Sequence, residues 1–238
     1  RNLDTPVWAV DSKHVFYMGR PLPGADPKTF EVLLGNYARD ARGVFFGPFR
    51  SRKIDHATFR VLNANFGVDS SRAYFVITPI RGAAAERFRV LDASLVAEAS
   101  GVFLQAGYAA DATSVWFASG AGIYRIPSAD PGTFVSLANR FGYDREHVYF
   151  EHSTLPGADP TTWRVWRGLL SVDKKSVFYT NKRIAGVDRV SIRLLSADGT
   201  FMDRHRVYSS GKACLRDPDD PLGGKAFDKL LDEWPQVV

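Results

Sequence analysis

The amino-acid sequence predicts an all-β repeat protein of about seven short units. Three observations predict it: an acidic residue that returns at a near-constant interval, a Val-aromatic-aromatic triplet starting four residues after it, and a Gly-Ala-Asp-Pro-x-Thr-Phe motif further on. The acidic anchors are Asp11, Asp40, Asp69, Glu98, Asp111, Asp144, Asp173 and Asp203, at intervals of 29, 29, 29, 13, 33, 29 and 30 residues. A fixed period of this size marks a repeat architecture, in which single units stack to bury a shared core.

The columns around the anchor assign the elements. Three residues before it stand Trp8, Tyr37, Phe66, Leu95, Tyr108, Phe141 and Leu170. This aromatic or apolar residue ends one strand, and the anchor carboxylate bonds amides of the following turn. The triplets (VFY at 15–17, VYF at 148–150) form the next strand by propensity. A glycine turn such as Met18-Gly19 and a short apolar stretch follow. Then comes the Gly-Ala-Asp-Pro-x-Thr-Phe motif, whole at 24–30 and with Trp163 for Phe at 157–163. Its Asp suits a helix N-cap and its Pro the first helical position, which predicts one helical turn. Each unit therefore supplies about four short β segments. Seven units favour a compact β-propeller-like ring. A unit of 29 residues is short for a blade, which usually takes about 40, so an open β-solenoid or meander is the alternative.

The unit anchored at Glu98 is cut short after Leu104, and the next carries four extra residues. Residues 1–210 are expected to form one β-repeat domain. Residues 211–238 are expected to be a capping tail: Asp217-Pro-Asp-Asp-Pro221 breaks regular structure, and Phe227, Leu230, Leu231 and Trp234 have the spacing of a short amphipathic helix.

Composition bounds the function. Hydrophobic residues make up 45%, enough for a core. No apolar run approaches the roughly 18 residues of a membrane span. The one cysteine, Cys214, excludes an internal disulfide and a CxxC metal site. The net charge of +5 and pI near 9.3 come mostly from arginines scattered one or two per repeat. Nucleic-acid binding calls for basic clusters with interleaved aromatics, so an acidic protein partner or anionic surface fits better. The chain opens on Arg1, which leads us to expect a signal or lipid-anchor segment upstream.

No nucleophile elbow, HExxH, P-loop or GxGxxG is present. His147 and His152, with Asp144 and Glu151, have the wrong spacing for ligands on one strand face. Asp217, Asp219 and Asp220 fit a solvated loop better than a calcium site. No catalytic residue, metal or cofactor is assigned. Two surfaces are candidates for binding a partner. The residue after the Phe column is Glu31, Arg60, Arg89, Val135, Arg164 and Arg193; strand alternation turns the aromatics inward and the arginines outward. Ordinary solubilising charge is the plainer reading of that column. The irregular stretch 98–127, with Tyr108, Trp116, Tyr124 and Arg125, is the other candidate, because insertions in repeat proteins map to loops. Trp163 and Trp166 fall in strand columns and are expected in the core.

The segments Tyr37-Ala-Arg-Asp40, Asp173-Lys-Lys-Ser-Val-Phe-Tyr179 and Gly24-Ala-Asp-Pro-Lys-Thr-Phe-Glu-Val-Leu33 resemble the DKNYY family of bacterial repeats over about residues 8–210. This chain departs from the family in favouring Arg over Lys and in its intervals of 13 and 33. Some family-like proteins are encoded beside type VI secretion effectors, including phospholipase-D-type lipases, and act as periplasmic immunity proteins. The resemblance thus implies a non-enzymatic protein of the periplasm or envelope that binds a cognate effector toxin and blocks its active site. It carries no site residues across. A glycan-binding envelope protein of propeller type is the alternative, and a hydrolase with a loop-built site a more distant one.

Overall fold

A computed structural model describes residues 7–92, 106–195 and 200–213. Its regular structure is β: seven antiparallel sheets, six of four strands and one of three. In each, the strands neighbour one another in chain order. Most strands have two to four residues; the longest, such as Val115–Ser119, have five. The chain divides into two compact units, Arg1–Arg140 and Phe141–Val238, within the expected single repeat domain.

The second sheet shows the plan. Glu31–Val32 pairs with Tyr37–Asp40, which pairs with Gly43–Phe46, which pairs with Phe49–Ser51. The anchor Asp40 closes the second strand, and the Val-aromatic-aromatic triplet Val44–Phe46 forms the third, as the columns predict. The first strand, however, belongs to the preceding sequence repeat, because it follows Phe30. The sequence period and the sheet are thus out of phase by one strand. Each of the repeats anchored at Asp11, Asp40, Asp69, Asp111, Asp144 and Asp173 starts in one sheet and ends in the next. At the far end, Tyr208 and Ser209 pair with Ala213 and Lys212, so pairing continues past the expected boundary at 210. The rest of the tail, with Cys214 and the helix expected at 226–234, lies outside the described residues.

The motif expected to make one helical turn makes a single hydrogen-bonded turn: Thr29 donates to the Asp26 carbonyl and Thr162 to that of Asp159. Only Ala85–Arg87 winds into a short 3₁₀ helix within this motif. Asp26, Asp55 and Asp159 cap the amide two residues on, as a turn aspartate does, and the strand that follows cuts the helix off.

Each apolar core lies between consecutive sheets. Trp8, Val15, Ala38 and Phe45 join the first and second. Tyr37, Phe46, Phe59 and Tyr74 join the second and third. Phe66, Phe75, Phe88, Trp116 and Ala118 join the third and fourth. In the second unit, Phe141, Val148, Trp163 and Phe178 form one core, and Leu170, Val177, Phe201 and Tyr208 another. The Phe column is the wedge: the Phe59 ring lies 5.6 Å from Tyr37 in one sheet and 6.3 Å from Tyr74 in the next. Gly67 makes room for it, since a Cβ there would collide with the Phe59 ring. Trp163 is buried as expected, and the half-buried Trp166 packs beside Phe201.

Candidate functional site

The repeated aspartates are committed to the frame. One oxygen of each anchor accepts the amides of its own turn: Ser71 and Arg72 at Asp69, Thr113 and Ser114 at Asp111, Lys175 and Ser176 at Asp173. The other reaches back to the preceding repeat. Asp40 accepts the Asp26 amide at 3.0 Å, Asp69 that of Asp55 at 3.2 Å, Asp111 that of Ala84 at 2.9 Å and Asp173 that of Asp159 at 3.1 Å. A second bond runs alongside: the hydroxyls of Thr29, Thr58, Thr162 and Ser191 accept the amides of Ala41, Ser70, Lys174 and Arg204. Burial alone would raise the Asp69 pKa, but hydrogen bonds from Tyr74, Ser71, Asp55 and Arg72 outweigh it and leave the carboxyl below its ordinary value. Asp111 makes the bond to the preceding repeat and so anchors the fourth sheet. Glu98 lies outside the described residues.

The arginine column behaves as strand alternation requires. Phe59, Phe88 and Trp163 are buried, while the following Arg60, Arg89 and Arg164 are exposed. Arg193 is half-buried. Directly opposite these arginines stand Val68, Ala110, Val172 and Met202. Opposed residues share a sheet face, so the aliphatic stems run beside small or apolar neighbours while the charged heads reach water. Arg89 also extends to the next turn and donates to the Pro131 carbonyl at 2.5 Å. Arg60 and Arg89 belong to the first unit, Arg164 and Arg193 to the second.

Two of the four candidates in the irregular stretch are core residues of the fourth sheet. Tyr108 and Trp116 are 1% and 2% exposed. Tyr108 packs between Phe117 and Phe134 at 5.1 and 5.0 Å and donates to the Arg140 carbonyl. Tyr108 is thereby closed to a partner, while Trp116 lines the groove described below. The four extra residues lengthen a hairpin instead: Val115–Ser119 and Gly122–Ile126 pair over five residues, where the equivalent last strand of the third sheet is only Thr78–Pro79. Tyr124 and Arg125 lie on this last strand. Tyr124 donates to the Ala121 carbonyl, and the exposed Arg125 donates through Nε to Ser114 Oγ at 3.0 Å.

The longer hairpin builds one wall of an open groove of about 700 Å³ between the third and fourth sheets. Phe75, Val76 and Pro79 line one side, and Ser119 to Ile123 the other, with an edge of Trp116 between. Among the described residues, Arg81 and Arg125 are its charged lining side chains, and no carboxylate lines it. Arg81 was not among the sequence candidates. Its signal was a substitution within a column, because Pro23 and Pro156 hold the matching place in other repeats.

Away from the groove, Asp92 accepts the Tyr108 amide and the Ser136 hydroxyl with no cation beside it in either bond. Burial pushes its carboxyl up to about 7.

Antiparallel sheets stapled by recurring aspartates, with arginines on the exposed strand positions, define a β-repeat protein. The chain belongs to the DKNYY family, whose model matches residues 37–182, more than half of its length. No curated protein and no solved structure matches it.

Proposed function

We propose that this chain is a non-enzymatic binding protein of the periplasm or envelope that inhibits a secreted effector toxin, of the lipase or phospholipase-D type, by covering its active-site entrance. One observation carries the reading: at one strand position after another, a buried aromatic is followed by an exposed arginine, in Arg60, Arg89 and Arg164. Repeated positive charge at equivalent points speeds encounter with an acidic surface and weakens with salt. The membership of the DKNYY family supports the role as far as the resemblance reaches. The frame's own demand on its aspartates supports binding over catalysis, since their oxygens are already taken by backbone amides.

The test is surface-plasmon kinetics against the effector that this reading expects to be encoded beside the gene. The variant carries Arg60→Glu, Arg89→Glu and Arg164→Glu, with the half-buried Arg193 left in place. At low salt, association is expected to slow by at least about tenfold while dissociation changes little. Unchanged association by a variant that melts like the wild type would reduce the column to solubilising charge. A wild-type protein that fails to bind the effector would overturn the inhibitor reading itself.

A further inference from the structure

We propose that the groove between the third and fourth sheets is a second binding site, and that it takes an extended peptide segment of a protein partner in which apolar side chains alternate with carboxylates. The proposal stands on the shape and chemistry of the groove and not on the arginine column. Its lining is largely apolar: Phe75, Val76 and Pro79 on one side, Ile123 on the other, and the buried Trp116. Arg81 and Arg125 supply the charge, and among the described residues no acidic lining residue opposes them. An extended segment sends alternate side chains to opposite sides. One set can therefore enter the apolar floor while the other set meets the guanidinium groups, which bind carboxylates in bidentate geometry. Arg125 keeps its second edge for such a contact, because it is Nε that bonds Ser114.

Two features match the groove to an extended chain more than to a compact small molecule. It lies between two sheets and is open to solvent, and the lengthened strand Gly122–Ile126 is the outermost of its sheet. The hairpin tip Ser119-Gly120-Ala121-Gly122 offers small side chains, which lets a backbone come close. The four extra residues of this repeat build that wall, so the groove has the one feature that sets the fourth sheet apart from its neighbours.

The probe is a capped heptapeptide of alternating Glu and Leu, with its Lys-Leu counterpart as control, titrated calorimetrically into the whole chain. The wild type is expected to bind the Glu peptide saturably and the Lys peptide at least about tenfold more weakly. Arg81→Ser with Arg125→Ser is expected to cost a similar factor. Thr78→Trp, at an exposed position on the groove wall, is expected to block binding with both arginines intact. Circular dichroism and melting check that each variant folds. No binding by the wild type, equal binding of the two peptides, or full binding by Thr78→Trp would each overturn the proposal. So would binding that emerges only after residues 93–105 are replaced by a short Gly-Ser linker, which would assign the groove to the chain's own segment. Self-association abolished by Thr78→Trp, without peptide binding, would assign it to a second copy. The experiment uses no toxin, so its failure leaves the inhibitor reading intact, and the arginine-column experiment can fail without touching it.

Discussion

A single carboxylate does the work of two devices. In Asp69, one oxygen shapes the turn and the other ties the third sheet to the repeat before it, with Tyr74 Oη donating to the same oxygen at 2.6 Å. Asp69→Ala strands all these donors and is expected to cost about 3 kcal/mol or more in urea unfolding. Asp69→Asn keeps the turn acceptor and should cost less; equal losses would show that the bonds to Asp55 and Tyr74 alone matter. The titration follows from the same bonds. Asp69, Asp111 and Asp203 have lowered carboxyl pKa values, so their stabilisation is complete above the unfolded value and is lost as the pH falls through the folded ones. Asp92 runs the other way. With its carboxyl raised from 3.8 to about 7, its contribution is greatest below the unfolded value and is lost as the pH rises through about 7. Asp92→Asn should therefore flatten the decline in stability between those values, measured by denaturant midpoints across the range. An unchanged slope would remove Asp92 as its cause. The turn half of the anchor's role was legible in the sequence. The bond to the preceding repeat was not, because its partner is an amide 14 or 15 residues upstream in most repeats, and no side chain marks an amide.

Among the elements, the hairpins were easiest to read and the fourth sheet hardest. The residue seven after the anchor opens the tight turn between the third and fourth strands, with a positive φ in Met18 (50°), Val76 (57°), Glu151 (55°), Thr180 (53°) and Ser210 (48°). A left-handed backbone costs an ordinary side chain roughly 1–2 kcal/mol. Met18 is 69% exposed, so nothing in the core is lost if it is replaced. Met18→Asn, followed by Gly19, gives the preferred Asn-Gly hairpin pair and is expected to raise stability by about 0.5–1 kcal/mol. A fall in melting temperature would mean that the Met18 side chain has a packing role that its exposure hides. The fourth sheet misled because extra residues in a repeat suggest a loop. Here they come in a number that extends a hairpin in register, and the aromatics Tyr108 and Trp116 keep their core columns. Their positions, three before and five after Asp111, already carried that signal. The outward arginines were legible because they need only the alternation of a strand, whereas the groove needs two sheets brought side by side.

For the molecule as a whole, stability is built from cores shared by neighbours. Phe59→Ala should cost about 3–5 kcal/mol, as large aromatic deletions do. Hydrogen exchange should then show lost protection concentrated in the second and third sheets, because repeat arrays couple mainly to nearest neighbours. Protection lost evenly across the first unit would instead mark that unit as one cooperative block. The phase offset between repeat and sheet has a consequence for how such a chain can change. A duplication or deletion of one 29-residue period need not respect a sheet boundary. Wherever its breakpoints fall, the strand handed forward finds an anchor strand to pair with, and the reaching aspartate finds the amide of the copy before it. Copy number is therefore free to drift by whole periods, while the out-of-period gain between Asp111 and Asp144 is absorbed by a lengthened hairpin.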